Sequence, residues 1–313
     1  MTPVAHNLVR NKPVATVSGQ VVTPRETITD ATCVNALTVD VEDYFQVEAF
    51  KRLIPDSRWN SLPARVDANT QYLIEKFCRA NVTATFFILG WVAERYPNVV
   101  RKIHAAGHEI GSHGYGHQLA NTQSAKDFRE DVRRSKQLLE NISGQPVKGY
   151  RAPTFSVGRD NWWAYEVLAD EGYKYSSSVY PISHDLYGMP DAPVAPFHPI
   201  ASSFLEIPLS TIKIGKRNLP CSGGGYFRLL PYNVSRWCIR RSIEQRQSPF
   251  VFYCHPWEFD SRQPRLGAGF KSRFRHYTNI GQMPRRVTHL FKDFHWDRMD
   301  RVFARELGKN TAP

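Results

Sequence analysis

The feature that most constrains the fold of this chain is a repeated alternation of strand-like and helix-like segments between residues 36 and 176. Short apolar runs such as VTATFFIL over 82–89 predict buried strands. Between such runs, apolar residues recur at helical spacing over 69–80, 91–106, 125–141 and 160–171. This alternation predicts an α/β fold, with a mainly parallel sheet and helices outside it.

Chemically active side chains follow several predicted strands directly, and in barrels of this class the chemistry gathers at the carboxyl ends of strands. These residues are Asp40, Glu42 and Asp43 at the C-terminal end of ALTVDV, His113 and His117 after the strand near 108–112, Arg151 after the strand near 147–150, and His255 after FVFYC. We therefore expect them to lie at one end of the sheet.

The acidic and histidine groups favour a metal site. Asp40, Glu42 and Asp43 repel one another unless a positive partner such as a divalent cation lies among them. His113 and His117 are four positions apart and could bind one metal, and the glycines between them indicate a bent turn. The alternative interpretation is a solvated acidic turn beside an accidental histidine pair.

Two further residues could support acid–base catalysis, each in a different way. Arg151 cannot act as a base, but it can orient a carboxylate; alternatively, it is a surface arginine before a rigid turn. His255 could be a general acid, or simply a packed histidine. The triple glycine at 223–225 is either a flexible turn or a wall that a ligand approaches closely.

Composition limits the kinds of partner that the protein is expected to bind and the cellular compartment in which it is expected to act. The chain has 41 Lys and Arg against 29 Asp and Glu, a formal charge of +12, so its surface should attract anions. Its five cysteines include no C-x-x-C pair, which favours reduced thiols and a cytoplasmic location. We expect no membrane span and no secretory signal, which leaves a peripheral membrane contact open. No nucleic-acid-binding motif is found.

Several of these motifs occur in an order that resembles the NodB-type polysaccharide deacetylases, carbohydrate esterase family four. They are TVD at 38–40, ATFFILG at 84–90, GHEIGSHGYGH at 107–117 and RAP at 151–153. Three further segments make the resemblance more specific to one group within this family. They are DVEDYFQVEAF at 40–50, GGGYFR at 223–228 and HPWE at 255–258. They are similar to deacetylases of bacterial exopolysaccharide loci that accompany PEP-CTERM/exosortase systems.

The resemblance implies a distorted (β/α) barrel and metal-dependent removal of N-acetyl groups from amino sugars in exopolysaccharide biosynthesis. Asp40 matches the general base, and His113 and His117 match the metal-binding pair. Arg151 matches the residue that holds the base, and His255 matches the late histidine acid. The implied metal is zinc, with cobalt or nickel as alternatives. The implied substrate is an N-acetylated glycan or a lipid-linked oligosaccharide.

The chain departs from the family pattern in three places. The usual Asp-Asp-Gly is absent, so the metal-binding acid is either Glu42 or Asp43. Strand alternation places Glu42 on the face of Asp40, but we favour Asp43, which would lie in the turn on a shorter arm. Residues 176–178 are SSS where relatives often show an Asp, and no acidic partner of His255 is identifiable.

We predict a tail over residues 1–33, a catalytic domain with a C-terminal extension over 34–300, and a second tail over 301–313. Two other functions stay open. One is a hydrolase of cyclic amides, allantoinase-like, on a related barrel. The other is a non-catalytic glycan-binding module that uses the positive charge.

Overall fold

The structure, a computed structural model, describes residues 33–201 and 203–308, and its centre is a curled parallel sheet. The strands of this sheet are β1 (Val34–Val41), β2 (Thr85–Ile88), β3 (Glu109–Ser112), β4 (Gly149–Tyr150), β5 (Tyr175–Ser176), β6 (Leu205–Glu206), β9 (Val251–Cys254) and β10 (His295–Asp297). A separate antiparallel hairpin contains β7 (Thr211–Ile214) and β8 (Arg217–Pro220).

The helices of the described residues are α1 (Val66–Arg79), α2 (Gly90–Arg95), α3 (Pro97–Ala105), α4 (Ala125–Ser143), α5 (Ala164–Asp170), α6 (Gly224–Leu229), α7 (Tyr232–Arg246), α8 (Phe270–Tyr277), α9 (Met283–Asp293), α10 (Met299–Val302) and α11 (Ala304–Gly308). The helix predicted over 91–106 is therefore two helices, α2 and α3. Pro97 causes the break, because it offers no N–H and restricts the residue before it.

Strand β1 is the centre of the sheet. It pairs in parallel with β2 and β10, and its residues 36–39 pair with β9. The remaining order is β2, β3, β4, β5, β6. On its other side, β9 contacts the segments after β6 and β8. A bridge runs from Gly223 to Tyr253, and the Val251 N–H donates a hydrogen bond of 2.8 Å to the Ser210 hydroxyl. The predicted parallel α/β architecture is confirmed.

The predicted ends of the catalytic domain can be compared with the described residues at both termini. The N-terminal tail predicted over 1–33 lies outside the described residues except for Cys33, which is buried. The predicted boundary at residue 300 falls inside α10, and beyond it Phe303 is fully buried and α11 follows. A tail could not contribute such a residue to the core. Within the described part of the chain, none of the helices has the length and apolar character needed to cross a bilayer.

A buried carboxyl group ties the C-terminal helices to the amino end of the sheet. Glu109 accepts hydrogen bonds from the hydroxyls of Thr85 and Tyr175 and from the backbone N–H of Asp300. The Thr85 hydroxyl in turn accepts a hydrogen bond of 2.8 Å from the Met299 N–H. Burial, and to a smaller degree repulsion by Asp300, raises the pKa of Glu109 to about 7.

This raised pKa predicts a pH-dependent stability. A carboxyl whose pKa is higher in the folded state favours folding below its unfolded pKa, and this contribution is lost as pH rises through about 7. One pKa unit corresponds to about 1.4 kcal/mol. We expect the free energy of unfolding to fall between pH 5 and pH 8 by on the order of 3 kcal/mol more in the wild type than in Glu109→Gln. Urea unfolding at both pH values measures this difference.

The exposed Glu166 of α5 supplies the matched control, Glu166→Gln, which should follow the wild type. Equal pH dependence in the wild type and Glu109→Gln would show that Glu109 is ionised in the folded protein.

Candidate active site

Three predicted metal ligands meet at the carboxyl end of the sheet. Glu42, His113 and His117 are buried, and each offers one ligand atom within 4.8 Å of the other two. Oε2 of Glu42 lies 2.9 Å from Nε2 of His117. Nδ1 of His113 lies 2.8 Å from the carbonyl oxygen of Arg151. Since a carbonyl only accepts, this Nδ1 carries the proton and Nε2 of His113 keeps its lone pair.

The turn between the two histidines is held by α4. Gly114 has a φ of 73°, and a Cβ at this position would lie 2.7 Å from the Asp131 carboxylate. That carboxylate accepts a hydrogen bond of 3.0 Å from the Tyr115 N–H. The Ser135 hydroxyl donates to the Gly114 carbonyl at 3.0 Å. The bent geometry predicted for this turn is present, and His117 itself has a φ of 53°.

The donor set fits a divalent cation. Oε1 of Glu42 accepts a hydrogen bond of 3.1 Å from the Trp257 indole, which leaves the buried Oε2 facing Nε2 of His117. Burial opposes the charge of Glu42, yet attraction and hydrogen bonding to His117, together with attraction to His255 and His113, outweigh it and lower the pKa of Glu42 to about 2. Burial lowers the pKa of His113 to about 4. A carboxylate and neutral imidazoles are the forms that bind metals.

Asp43, the acid favoured from the sequence, lies outside this cluster. Its Oδ2 accepts hydrogen bonds from the backbone N–H groups of Arg65 and Val66, at 2.6 and 2.9 Å. Its Oδ1 accepts from the Tyr44 N–H at 2.8 Å. Asp43 therefore satisfies free N–H groups at the start of α1. The preference for Asp43 over Glu42 as a ligand is not supported, because this carboxylate is committed elsewhere.

Arg151 holds Asp40 beside the histidine cluster. Both side chains are buried, and Nη1 of Arg151 donates to Oδ1 of Asp40 at 2.8 Å. The same nitrogen donates to the Thr38 hydroxyl at 2.7 Å. Its Nε and Nη2 donate to the carbonyl and the hydroxyl of Ser177, both at 3.0 Å. Ser177, the middle residue of the triple serine, thus fixes the arginine. The other oxygen of Asp40, Oδ2, lies 4.0 Å from Nε2 of His255.

His255 has an acidic partner, which the sequence did not reveal. Nδ1 of His255 lies 2.8 Å from Oε1 of Glu258, and Nε of the buried Arg228 donates to Oε2 of Glu258 at 2.7 Å. Gly224 allows this packing, because a Cβ there would lie 2.3 Å from the Glu258 carboxylate. Burial alone would lower the pKa of His255, but the hydrogen bond to Glu258 and attraction to Glu42 raise it to about 9.

The signal for this partner was present in the HPWE motif. Pro256 begins a 3-10 turn over Pro256–Phe259, which brings Glu258 back onto His255 three positions earlier. Arg228 comes from the GGGYFR motif, thirty residues before Glu258. Only the fold brings the two motifs together.

The cluster opens into a pocket of about 440 Å³. Among the aromatic side chains, Trp257 lines this pocket, whereas Trp91 and Phe227 lie outside its lining and pack in the core. Tyr115 instead donates its hydroxyl proton to Glu94. The walls also contain aromatic residues that the sequence analysis missed, namely Phe155, Tyr187, Tyr226 and Phe274. Of the triple glycine, Gly225 lines the pocket.

The pair of Glu258 and Arg228 supports a prediction. Glu258→Gln should lower kcat by about 10–100-fold with little change in KM, since Glu258 acts through His255. Steady-state kinetics measures the split. Glu258→Gln leaves the positive charge of the buried Arg228 without its carboxylate, so the melting temperature of the variant is measured in parallel. The double variant Arg228→Met/Glu258→Gln removes both charges and restores charge balance. The control is Glu94→Gln, at an exposed residue that forms an ion pair with Arg134. Unchanged kcat in the folded variant would exclude this positioning role.

Comparisons with known proteins match two separate regions of the chain. Residues 58–175 match the family model described as Polysaccharide deacetylase. Residues 177–304 match one described as Domain of unknown function (DUF3473). The site draws on both regions, because His113, His117 and Arg151 lie in the first and His255 in the second. Asp40 and Glu42 precede both.

Curated relatives match a limited part of the chain. It is 34% identical over 84 residues to the peptidoglycan-N-acetylglucosamine deacetylase of Bacillus cereus, covering 27% of this chain and 30% of that protein. It is 30% identical over 112 residues to the peptidoglycan deacetylase of Helicobacter pylori, covering 34% and 36%. The chain thus spans about a third of the length of these curated relatives.

A solved structure extends the likeness to the whole fold. The crystal structure of a candidate polysaccharide deacetylase from Mycobacterium smegmatis covers 93% of this chain and 98% of its own, with a TM-score of 0.57 and 21% identity. This confirms the distorted (β/α) barrel of the NodB type. Residues 58–175 of the chain are thus similar to polysaccharide deacetylases, and the whole chain shares their fold.

Proposed function

We propose that this protein is a metal-dependent hydrolase that removes N-acetyl groups from amino sugars of a glycan. The observation that carries the proposal is the geometry of one pocket. Asp40, held by Arg151, and His255, held by Glu258, face each other across 4.0 Å beside the cluster of Glu42, His113 and His117. A base, an acid and a metal-binding triad are the groups that amide hydrolysis needs.

The roles follow from the atoms that face the pocket. When bound by Glu42, His113 and His117, a divalent cation such as zinc, cobalt or nickel supplies Lewis acidity that polarises a carbonyl and acidifies water. Oδ2 of Asp40 accepts the proton of the attacking water, since Arg151 occupies Oδ1. Nε2 of His255 donates a proton to the departing nitrogen as the C–N bond breaks. The products are acetate and a free amine on the sugar.

The substrate class is proposed from the walls of the pocket and from the relatives. Aromatic rings such as Trp257 and Tyr187 offer flat apolar faces for sugar rings. The relatives' names specify N-acetylglucosamine in peptidoglycan, and one is a chitooligosaccharide deacetylase. An N-acetylated oligosaccharide is therefore the first substrate to examine.

We propose further that the protein acts in exopolysaccharide biosynthesis, in the cytoplasm and before export. The motifs at 40–50, 223–228 and 255–258 support the first part, because they resemble deacetylases of exopolysaccharide loci. The five cysteines support the second, because they are widely spaced and include no C-x-x-C pair. A lipid-linked oligosaccharide and a free polymer are both compatible with this pathway.

The experiment that tests the function offers the protein N-acetylated oligosaccharides and, separately, cyclic ureides. Acetate release together with a new amine is the expected result. Ring opening of a ureide without acetate release would favour the cyclic-amide hydrolase. Binding of the oligosaccharide without turnover, unchanged in Asp40→Asn, would identify a glycan-binding module.

A further inference from the structure

The mouth of the pocket carries an unusual share of exposed apolar side chains. Leu186, Leu229 and Phe274 line the pocket, although 54%, 44% and 47% of their surfaces are exposed. Phe270 is 86% exposed and stacks on Phe274, with ring centroids 6.2 Å apart. We call these four residues the mouth patch.

The mouth patch is one surface, although its residues come from three segments. Asp185, next to Leu186, pairs with Lys271 and Arg275 of α8. Arg228, next to Leu229, donates through Nη2 to the Arg275 carbonyl at 3.2 Å. Both contacts hold the flanking leucines beside α8. Phe270 and Phe274 are four positions apart and so share a face of this helix.

The charge around the mouth patch is positive. Helix α8 carries Lys271, Arg273 and Arg275 and no acid, and Asp185 pairs with two of these three cations. Residues 261–292 contain eight Lys and Arg and no Asp or Glu. Arg273 is exposed beside the two phenylalanines.

This combination matches one kind of partner. A sugar inside the pocket would leave Phe270 in water, because that ring lies outside the lining. An exposed apolar patch usually marks a surface that binds something. Phenylalanines flanked by Lys and Arg on one short helix suit the boundary between anionic headgroups and acyl chains.

We propose that the mouth patch docks on an anionic bilayer, with α8 in the headgroup layer, so that the pocket opens toward saccharides carried on membrane lipids. The membrane contact stands independently of catalysis, whereas the lipid-linked substrate rests on the proposed function. Of the two substrate forms, this geometry favours the lipid-linked one. A free polymer would reach the pocket without a membrane contact.

Sedimentation with vesicles tests the proposal. The wild type should bind vesicles of equimolar phosphatidylcholine and phosphatidylglycerol, and bind phosphatidylcholine alone far more weakly. Phe270→Ser/Arg273→Gln should lower the partition coefficient by about tenfold or more. Both positions lie on α8 outside the pocket lining, so acetate release from a soluble oligosaccharide should not change. Trp237→Ser, at a 52% exposed aromatic position of α7, is the matched control.

The outcomes separate the two proposals. Failure of the wild type to bind vesicles, with soluble-substrate activity intact, would overturn the docking surface and leave the deacetylase function standing. Equal binding by the wild type and the α8 variant would also overturn it. A dimer that dissociates in the α8 variant would instead identify the mouth patch as a contact between two copies. Vesicle binding without acetate release would count against the catalytic proposal alone.

Discussion

Asp40→Asn is expected to lower kcat/KM for acetate release by about 10²–10⁴-fold, the range that a positioned general base supplies. The amide can still accept a hydrogen bond from Arg151, but it cannot take a proton from water. Metal content should stay near that of the wild type, because Asp40 is not among the residues that converge on the cation site. Steady-state kinetics and metal analysis of the purified variant check both statements.

The controls for this variant address its stability. Asp40→Asn leaves the buried Arg151 without its carboxylate, and breaking a buried pair costs about 3–5 kcal/mol. Asp40→Glu keeps the negative charge but displaces it, so it should be more stable than Asp40→Asn and still slow. Asp160→Asn, at an exposed position, should resemble the wild type. Near-normal turnover in a folded Asp40→Asn would remove Asp40 from the base role.

Glu42→Gln and Asp43→Asn should behave in opposite ways, although the two acids are neighbours. We expect Glu42→Gln to weaken binding of zinc or cobalt by at least about 100-fold, since it removes the carboxylate that faces His113 and His117. Asp43→Asn should keep the metal but lose about 1–2 kcal/mol of stability, because one amide oxygen replaces an acceptor of three N–H groups.

Competition with a chromophoric chelator measures the metal affinity, and urea unfolding of the metal-free proteins measures the stability. These readouts do not depend on knowing the substrate. Loss of metal in Asp43→Asn and its retention in Glu42→Gln would reverse the assignment drawn from the structure and restore the one favoured from the sequence.

The fold was predictable because its signals are local. Apolar runs and helical spacing predict strands and helices without knowledge of distant contacts, and parallel strands bring their carboxyl ends together. For this reason Asp40, His113, Arg151 and His255 were expected at one edge, and the structure brings them together.

The features that the sequence did not predict depend on distant contacts. The choice between Glu42 and Asp43 depends on where α1 begins, since its first N–H groups engage Asp43. The partnership of Glu258 with Arg228 joins two motifs that only the barrel brings together. The wall residue Tyr187 lies in a Pro-rich segment without periodicity. Phe303 is buried by a short helix that shows no strong pattern of its own.

The site therefore spans two regions that family comparison treats separately. Arg228, His255 and Glu258 lie in the region matched as a domain of unknown function, over 177–304. His255 lies 4.0 Å from Asp40 and 3.7 Å from Glu42, and Glu258 links it to Arg228, so this region adds to the cluster that contains His113 and His117 of the other matched region. We propose that this C-terminal region supplies the general acid His255 and the residues at the mouth of the pocket.

The most direct test of the central claim is acetate release from an N-acetylated oligosaccharide by metal-stripped protein, before and after zinc, cobalt or nickel is restored. His113→Ala and the exposed control His104→Ala are measured in parallel. We predict no release by the stripped protein, recovery with metal in the wild type and His104→Ala, and none in His113→Ala. Release that persists without metal, or that survives His113→Ala, would contradict a metal-dependent deacetylase.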